Sequence, residues 1–375
     1  MAPIHVCISG SYGGMNLGDE AILQSIVRQL RADVPVEITV FTRDGEDTQR
    51  RHGVERIVQP RDTTRERMRA EIDQCDLFIL GGGGLLYDRD AERYLRDVMA
   101  AQQAGVATMT YAISAGPLND PNARRIVRRA LNGCALLTVR DRLAQKLLED
   151  IGIEREVIVT ADPALLIEPE AVDAEMLERE GLAFQRRLVA MSVREPGPAA
   201  PELDPDHYHS LLANAADYIV DRFDADVVFL PLERLRQDLQ HSHAVIAKMR
   251  RADRATVLKG DYTPGQLIDL MTRFDFAVGM RLHVLIFAAI AGVPFVALPY
   301  ASKVRGFLED LQMDTPPLER VGSGQLIALI DRAWDRREGI RTTIQRAVPE
   351  LQARARKTHT LMLELLHGRA ALPVG

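Results

Sequence analysis

Short apolar runs alternate with longer amphipathic segments along most of the chain. In the first half, the apolar runs predict strands at His5–Ser9, Glu37–Phe41, Asp76–Leu80, Ala107–Ile113, Ala135–Val139 and Val157–Thr160. In the second half, they predict strands at Leu188–Val193, Asp226–Leu230, Ala255–Leu258, Phe274–Val278 and Phe295–Leu298. Helical segments of the first half are predicted at Asp19–Arg31, Ala91–Ala104, Asn122–Leu131 and Asp141–Ile151. Strands that alternate with helices predict βαβ units, and therefore parallel sheets with helices on both faces.

Two such halves predict an α/β fold of two Rossmann-like, doubly wound domains. The acidic stretch Ile167–Gly181 separates the halves, so we expect an N-terminal domain over residues 1–170 and a C-terminal domain over 182–345. A C-terminal helix is expected over 346–375, with an interruption near Pro349. The length of 375 residues fits two domains that each bury a core.

One long uncharged stretch resembles a membrane span in its hydropathy. Residues Val284–Ala301 are 18 consecutive uncharged positions, most of them apolar. Gly292-Val293-Pro294 interrupts this stretch, and about eight residues on either side are too few to cross a bilayer. The pattern therefore favours a buried helix, a turn and a buried strand at Phe295–Leu298.

The composition narrows the class of protein. Apolar residues make up 46% and charged residues 27%, which is typical of a folded globular chain. The net charge of −6 argues against non-specific nucleic-acid binding. Cys7, Cys75 and Cys134 lie in apolar contexts without metal-ligand spacing, so we expect buried thiols in a reducing compartment. The N-terminus has no basic flank or small-residue cleavage site, so we expect no signal peptide and a cytoplasmic location.

Three glycine-rich loops follow predicted strands of the first half. They are Ser9–Glu20, which contains four glycines, Gly81–Gly84, and Ser114–Pro117. Glycine lets backbone amides approach a ligand closely. The first loop differs from the dinucleotide-binding spacing G-x-G-x-x-G, and no isolated acid ends the next strand. A tight turn with Asp19 as a helix cap is the alternative, and the sequence leaves both interpretations open.

An arginine ends a strand in each half. Arg140 follows Thr138-Val139 at the start of a predicted helix, where charge and helix dipole both favour an anion. Arg194 has the equivalent position in the second half. A salt bridge with a neighbouring carboxylate, such as Asp141, would explain the arginine equally well.

The most informative segment is Gly279–Pro294. A strand ends at Gly279, and Arg281 and His283 then precede a purely apolar helical run. An arginine at the N-terminus of a buried helix can bind phosphate. His283 is suitably placed for a general acid or base, although a core histidine with its own partner is the alternative. Lys303, one of five lysines, ends the next strand and could reach the same anion.

Two further patterns carry little functional information. Two histidine pairs have the spacing i, i+2: His207 with His209, and His241 with His243. Side chains two positions apart on a helix point in different directions, so we expect no metal site. Residues 331–358 contain eight bases and four acids. This basic section predicts a solvated helix face or, alternatively, contact with a membrane or a phosphorylated acceptor.

Together these motifs resemble the polysaccharide pyruvyl transferase family, in particular its CsaB-like cell-wall members. The matching segments are Gly13–Glu20, Gly81–Leu85, Val139-Arg140-Asp141, Ala161-Asp162-Pro163 and Arg281-Leu282-His283 with Gly292-Val293-Pro294. Lys303 also follows His283 at the spacing of the family pattern. The resemblance covers about residues 5–310, and the Arg-Leu-His block is its most specific part.

The resemblance implies a GT-B-like fold and phosphoenolpyruvate as the donor substrate, with no cofactor. The reaction would form a pyruvyl ketal across two hydroxyls of a sugar, commonly O4 and O6. The catalytic residues implied are His283 as the acid, Arg281 and Lys303. The implied donor-binding residues are Arg281, Leu282, His283 and Lys303, together with an arginine that is either Arg140 or Arg194. The implied acceptor-binding residues are Gly13, Asn16, Asp19, Gly82 and Gly83.

The partners implied are phosphoenolpyruvate and a glycan or lipid-linked oligosaccharide acceptor, with no nucleic acid. A lipid-linked acceptor would bring the protein to the inner face of the membrane. A GT-B glycosyltransferase that uses a nucleotide sugar is the alternative enzyme, and a non-catalytic phosphate- or glycan-binding protein is the alternative outside catalysis. The loop with Tyr300, Ser302 and Lys303 suits a small anion better than a nucleotide ribose.

Overall fold

The computed structural model describes residues 3–182, 184–194, 204–233, 238–298, 302–313 and 322–370. The chain divides into two compact units. Unit 1 comprises Met1–Gly14, Asp19–Ile167 and Glu350–Gly375, and unit 2 comprises Met15–Gly18 and Glu168–Pro349. The short segment Met15–Gly18 therefore groups with unit 2, although the residues on both sides of it belong to unit 1.

Unit 1 contains a parallel sheet of eight strands in the order β3-β2-β1-β4-β6-β7-β8, with β5 paired to β6. Two short strands, β3 and β5, were absent from the predicted pattern. The strands are β1 (Ile4–Ser9), β2 (Val36–Phe41), β3 (Arg56–Val58), β4 (Leu77–Leu80), β5 (Gly83–Leu86), β6 (Ala107–Ala115), β7 (Leu136–Val139) and β8 (Val157–Val159).

The helices of unit 1 bury apolar residues against this sheet. Phe78 of β4 and Leu95, Val127 and Leu148 of the helices belong to one hydrophobic cluster. Aspartate side chains cap several of these helices, as at Asp141. The helices are α1 (Leu17–Asp33), α2 (Gly45–His52), α3 (Arg65–Asp73), α4 (Ala91–Gln103), α5 (Pro121–Asn132) and α6 (Arg142–Asp150).

Unit 2 contains a second parallel sheet, in the order β11-β10-β9-β12-β13. The strands are β9 (Arg187–Ser192), β10 (Ala225–Phe229), β11 (Ala255–Val257), β12 (Phe276–Gly279) and β13 (Phe295–Ala297). The helices are α7 (Ala174–Glu180), α8 (Pro205–Phe223), α9 (Asp238–Ile246), α10 (Pro264–Met271), α11 (Leu282–Ile290), α12 (Ser302–Asp310) and α13 (Ser323–Asp335). The last helix, α14 (Arg337–Ala370), belongs to unit 2 as far as Pro349 and to unit 1 from Glu350 onward.

Within the uncharged stretch Val284–Ala301, the described residues end at Leu298. They form most of α11, a turn and β13, as the glycine and proline within the stretch predicted. Among the described residues, no helix has the length and apolar content that a membrane span requires.

The expected interruption near Pro349 is wrong, because α14 continues through this residue. Proline removes one backbone hydrogen bond from a helix interior. Side-chain contacts hold the turns that follow it to unit 1. The Arg354 guanidinium donates to the Thr160 carbonyl at 2.7 Å, and the Thr358 hydroxyl lies 2.8 Å from the Thr160 hydroxyl. Tertiary contacts therefore compensate for the local cost of the proline.

The expectation of three free thiols is also wrong. Cys7 of β1 and Cys75, just before β4, form a disulfide, whereas Cys134 is free and buried. The two cysteines are 68 residues apart in sequence. They meet because β1 and β4 are neighbouring strands, a pairing that cysteine spacing alone does not contain.

Candidate functional site

In unit 2, the strands β9, β12 and β13 end at the same edge of the sheet. Ser192 at the end of β9 lies opposite Gly279 of β12, and Gly279 lies opposite Ala297 of β13. Ligands of doubly wound sheets bind at this carboxyl edge. The structure brings five of the predicted donor residues to the elements that leave this edge: Arg194, Arg281, Leu282, His283 and Lys303.

The first turn of α11 is fixed by the end of β9. The Ser192 hydroxyl accepts hydrogen bonds from the backbone N–H groups of Met280, at 2.9 Å, and Arg281, at 3.1 Å. Arg281 occupies the N-cap position of α11, and the apolar residues behind it are buried. The helix N-terminus, with its positive dipole end, is thereby held at the carboxyl edge of the sheet.

Two buried carboxylates orient the Arg281 side chain. Its Nε donates to Oδ2 of Asp238 at 2.9 Å, and its Nη2 pairs closely with Oδ1 of the same aspartate. Nη1 lies 2.7 Å from Oε2 of Glu233. Burial raises the pKa of Asp238, and the guanidinium opposes that shift. Sequence reasoning missed both acids, because Asp238 is 43 residues from Arg281 and looks like an ordinary first-turn acid of α9.

His283 lies in the first turn of α11 and is half-buried. Its ring packs directly on Gly18, because a Cβ on Gly18 would lie 1.9 Å from the His283 Nδ1. Gly18 therefore brings part of the first glycine-rich loop to the candidate acid.

The segment Met15–Gly18 is attached to unit 2 through the backbone. The N–H of Leu17 donates to the carbonyl of Leu232 at 2.9 Å, and Asn16 forms an antiparallel bridge with Glu233. The Asn16 side chain accepts from the N–H of Gly18 at 3.1 Å. Asn16 was predicted to bind the acceptor from the N-terminal domain. The structure instead groups it with unit 2, next to the glutamate that pairs with Arg281.

The other two predicted cations, Arg194 and Lys303, lie on the elements that follow β9 and β13. Arg194 is half-buried after β9, and its carbonyl accepts from the Tyr208 hydroxyl at 2.9 Å. Burial raises the pKa of Tyr208. Lys303 is half-buried in the first turn of α12. Tyr300, which was predicted to lie with Lys303 in a loop that suits a small anion, is outside the described residues.

In unit 1, the first glycine-rich loop and the Gly81–Gly84 run also leave one sheet edge, since Ser9 of β1 lies opposite Leu80 of β4. The N–H of Gly13 donates to Oε1 of Glu20 at 3.0 Å. The Asp19 carboxylate lies beside Gly83, with Oδ1 at 3.4 Å from where a Cβ would stand. Gly13, Asp19, Gly82 and Gly83 therefore belong to one edge of unit 1.

The glycine run is packed by the protein's own side chains. A Cβ on Gly81 would lie 1.8 Å from the Tyr12 hydroxyl, and one on Gly84 would lie 2.2 Å from the Tyr87 hydroxyl. At Gly82 the nearest atoms would be a methyl of Ile22, at 2.8 Å, and the Tyr111 carbonyl, at 3.0 Å. Internal packing thus accounts for the absence of side chains at these three positions.

Arg140 lies in unit 1 within a buried ionic cluster. Its Nη1 lies 2.6 Å from Oδ2 of Asp162, and its Nε lies 3.9 Å from Oδ2 of Asp141. Asp141 also accepts from the Ser114 hydroxyl at 2.8 Å and caps α6. Burial lowers the pKa of Arg140, but Asp162 and Asp141 outweigh that effect and raise it overall. The cluster joins the Val139–Asp141 and Ala161–Pro163 motifs.

Histidine and cysteine side chains come close together at one place in unit 2 and at one place in unit 1 among the described residues. Nε2 of His209 on α8 lies 2.8 Å from Nδ1 of His241 on α9, so the pair forms across helices and not within an i, i+2 pair. Among the described residues, the one group of three with ligand-like spacing is His5, Cys7 and Cys75. Its two cysteines are joined by the disulfide.

The family described as polysaccharide pyruvyl transferase matches residues 16–302 of the sequence. Among curated proteins, the amylovoran biosynthesis protein AmsJ of Erwinia amylovora is 21% identical over 292 residues, which are 75% of this chain and 70% of that protein. The matched range contains the Arg-Leu-His block and the ionic cluster of Arg140.

Solved structures resemble this one over nearly its whole length. A putative UDP-N-acetylglucosamine 2-epimerase from Listeria monocytogenes has a TM-score of 0.66 at 14% identity, with 96% of this chain and 95% of that chain covered. Anabaena Alr3699/HepE, solved in complex with UDP-glucose, has a TM-score of 0.62 at 16% identity, with 98% and 100% covered. At such low identity these matches concern the fold, and with the two parallel sheets they confirm the predicted α/β, GT-B-like class of two Rossmann-like domains.

Proposed function

This chain belongs to the polysaccharide pyruvyl transferase family, and from that we propose that it moves the enolpyruvyl group of phosphoenolpyruvate onto a sugar as a pyruvyl ketal. The sugar would belong to a cell-wall or exopolysaccharide precursor, and phosphate would be released. The observation that carries the proposal is the first turn of α11, where an oriented Arg281 and the ring of His283 adjoin a helix N-terminus.

The donor anion would bind at the carboxyl edge of unit 2. The N-terminus of α11 favours a negatively charged group, and Arg281 is held there in a fixed orientation by Asp238 and Glu233. Arg194 follows β9 and Lys303 follows β13, the two strands that pair with β12, and both would add positive charge. We assign the second arginine of the donor site to Arg194, which belongs to unit 2 like Arg281, whereas Arg140 belongs to unit 1.

His283 would act as the general acid. Protonation of the methylene carbon of phosphoenolpyruvate by an imidazolium places positive charge on C2, and a sugar hydroxyl then adds to C2. Loss of phosphate and addition of the second hydroxyl to the same carbon complete the ketal, with both hydroxyl protons released. The close contact with Gly18 supports this role, because it limits where the His283 ring can lie.

The acceptor sugar would lie against the glycine-rich edge of unit 1. Asp19, whose carboxylate lies beside Gly83, would bind or deprotonate a hydroxyl, with Gly13 and Gly82 in the adjoining loops. The name of the Erwinia relative favours an exopolysaccharide acceptor.

We place the protein in the cytoplasm, at the inner face of the membrane when the acceptor is lipid-linked.

The first experiment is a thermal-shift comparison of phosphoenolpyruvate with UDP- and GDP-sugars. Stabilisation by phosphoenolpyruvate alone supports the proposal, whereas stabilisation by a nucleotide sugar alone would favour a GT-B glycosyltransferase. His283→Ala should then abolish ketal formation on a ManNAc-containing acceptor while phosphoenolpyruvate still binds by calorimetry. Turnover within a few-fold of wild type would remove His283 from the acid role.

A matched experiment addresses Arg281. Arg281→Ala should weaken phosphoenolpyruvate binding, measured by calorimetry, because it removes a cation and leaves Asp238 and Glu233 without it. Arg281→Lys keeps the charge but cannot pair bidentately with Asp238, so it should give an intermediate affinity. Unchanged affinity in Arg281→Ala would show that the donor binds elsewhere.

A further inference from the structure

A buried pair of titratable side chains lies beneath the first glycine-rich loop of unit 1. Oε2 of Glu20, in the first turn of α1, lies 2.8 Å from Nε2 of His52, the last residue of α2. The two side chains are only 2% and 3% exposed. The proposed chemistry uses neither residue, and His52 belongs to no motif of the sequence.

The other oxygen of Glu20 holds the loop itself. Oε1 accepts the N–H of Gly13 at 3.0 Å, and Gly13 has a left-handed φ of +64°. The loop is also confined from the opposite side, because a Cβ on Gly13 would lie 2.2 Å from the Thr42 hydroxyl. Glu20 therefore connects His52 on one side with the loop backbone on the other.

Burial of two such groups is costly unless their geometry is favourable. The contact with Glu20 uses Nε2 of His52, whereas the buried Nδ1 has no hydrogen-bond partner among the described residues. Nε2 of His52 and Oε2 of Glu20 share one proton across this contact. Arg31 donates to the backbone carbonyl of His52 at 3.2 Å, which anchors the end of α2 independently of the imidazole. The imidazole is thus available to orient the Glu20 carboxylate toward Gly13.

We propose that His52 is a positioning residue for acceptor binding: it orients Glu20, and Glu20 fixes the Gly13 loop against which the sugar lies. This inference rests on the proposed function, since it concerns the acceptor edge of that reaction. Loss of the imidazole should loosen the loop and weaken acceptor binding. The donor edge belongs to unit 2, so donor binding should not change.

The test uses a pair of isosteric variants. The amide nitrogen of glutamine can take the place of the imidazole Nε2, whereas that of asparagine matches Nδ1 and is too short to reach Glu20. We expect His52→Gln to keep the acceptor KM within about threefold of wild type and His52→Asn to raise it about tenfold or more. The phosphoenolpyruvate Kd, measured by calorimetry, should stay within about twofold in both.

Hydrogen exchange gives a second readout that does not depend on activity. In His52→Asn, amides of residues 10–14 should exchange at least about tenfold faster, and amides of α11 should not change. If this variant does not fold, Glu20→Asp replaces it, because the shorter carboxylate cannot reach both Gly13 and His52.

Two results would overturn the inference: equal acceptor KM values for the glutamine and asparagine variants, or a phosphoenolpyruvate Kd that rises together with the acceptor KM. Unchanged exchange at residues 10–14 would overturn it as well. A wild-type protein that does not bind phosphoenolpyruvate would instead reject the proposed function, and the exchange experiment would still decide the role of His52 in the loop.

Discussion

Gly18 and His283 are in direct contact: the imidazole fills the space that any side chain on Gly18 would need, with Nδ1 only 1.9 Å from the position of a Cβ. Gly18 is the second residue of α1, and His283 lies in the first turn of α11. The glycine of the N-terminal motif is thus explained by a histidine 265 positions later (283 − 18). The backbone hydrogen bond from Leu17 to Leu232 holds the neighbouring Gly18 within unit 2.

Gly18→Ala should lower kcat by about 100-fold, because a displacement of about 1 Å at a catalytic group costs this much. Helix propensity alone would favour alanine at this position by about 1 kcal/mol, so a gain in stability without loss of activity would contradict the contact. Gly339→Ala in α14 is the matched control, since nothing lies within 4 Å of its Cβ position. It should raise the melting temperature and leave turnover unchanged.

Gly81→Ala should destabilise unit 1 by about 1–3 kcal/mol through its clash with the Tyr12 hydroxyl. Tyr12→Phe should cost little, because that hydroxyl is buried and has no hydrogen-bond partner among the described residues. The double variant should recover part of the lost stability, as its closest remaining contact, Tyr12 Cζ, is at 2.9 Å. Additive melting-temperature changes in the double variant would show that the two residues do not interact.

Asp162→Asn should lower the free energy of unfolding by about 3–5 kcal/mol. The substitution removes the negative charge of the carboxylate that pairs with the buried Arg140 guanidinium. Urea denaturation measures this loss. Arg179 and Glu175 form an exposed pair of the same type, so Glu175→Gln provides the control and should change stability by less than about 1 kcal/mol. Equal effects of the two substitutions would show that burial is unimportant for the Arg140 pair.

The His209–His241 pair should make the protein sensitive to mild acid. Burial lowers the pKa of His209, and His241 and Lys248 lower it further, while Asp206 and Asp204 oppose them. Below the ordinary histidine value near pH 6.5, the unfolded chain takes up a proton that the folded His209 does not, so stability falls as pH decreases from there to the folded pKa. His209→Gln should flatten this part of the stability–pH curve, measured by urea denaturation at several pH values. An unchanged slope would assign the acid sensitivity to other groups.

The Cys7–Cys75 disulfide should stabilise unit 1 under oxidising conditions. Closing a loop of 68 residues corresponds to about 4 kcal/mol in the chain-entropy model. A reductant should therefore lower the melting temperature of the wild type but not that of Cys7→Ser. Thiol titration of the unfolded, unreduced protein should find about one thiol per chain, that of Cys134. Three titrating thiols would show that the bond does not form.

Much of the fold follows from local sequence pattern. The runs that end at Ser9, Leu80 and Val139 became strands because consecutive β-branched and apolar residues suit the buried interior of a parallel sheet. The short strands Arg56–Val58 and Gly83–Leu86 escaped prediction, since one begins with a charged residue and the other with glycines. Pairing with longer neighbouring strands overrides these weak local preferences.

Some residues of the candidate site could be predicted from the sequence, and others could not. Arg281 and His283 could be recognised from the sequence, because two polar residues at the start of an apolar helix form a local pattern. Glu233, Asp238 and the contact with Gly18 could not, because their significance depends on groups far away in the sequence.

The sequence by itself thus determined the alternation of strands and helices and the strand ends that carry chemistry, since these depend on interactions between near neighbours in the chain. Only the tertiary structure decided which carboxylates pair with each arginine, why Gly18 and Gly81 lack side chains, and that Asn16 groups with unit 2. These features depend on which residues, far apart in the sequence, pack against each other or form hydrogen bonds in the folded chain.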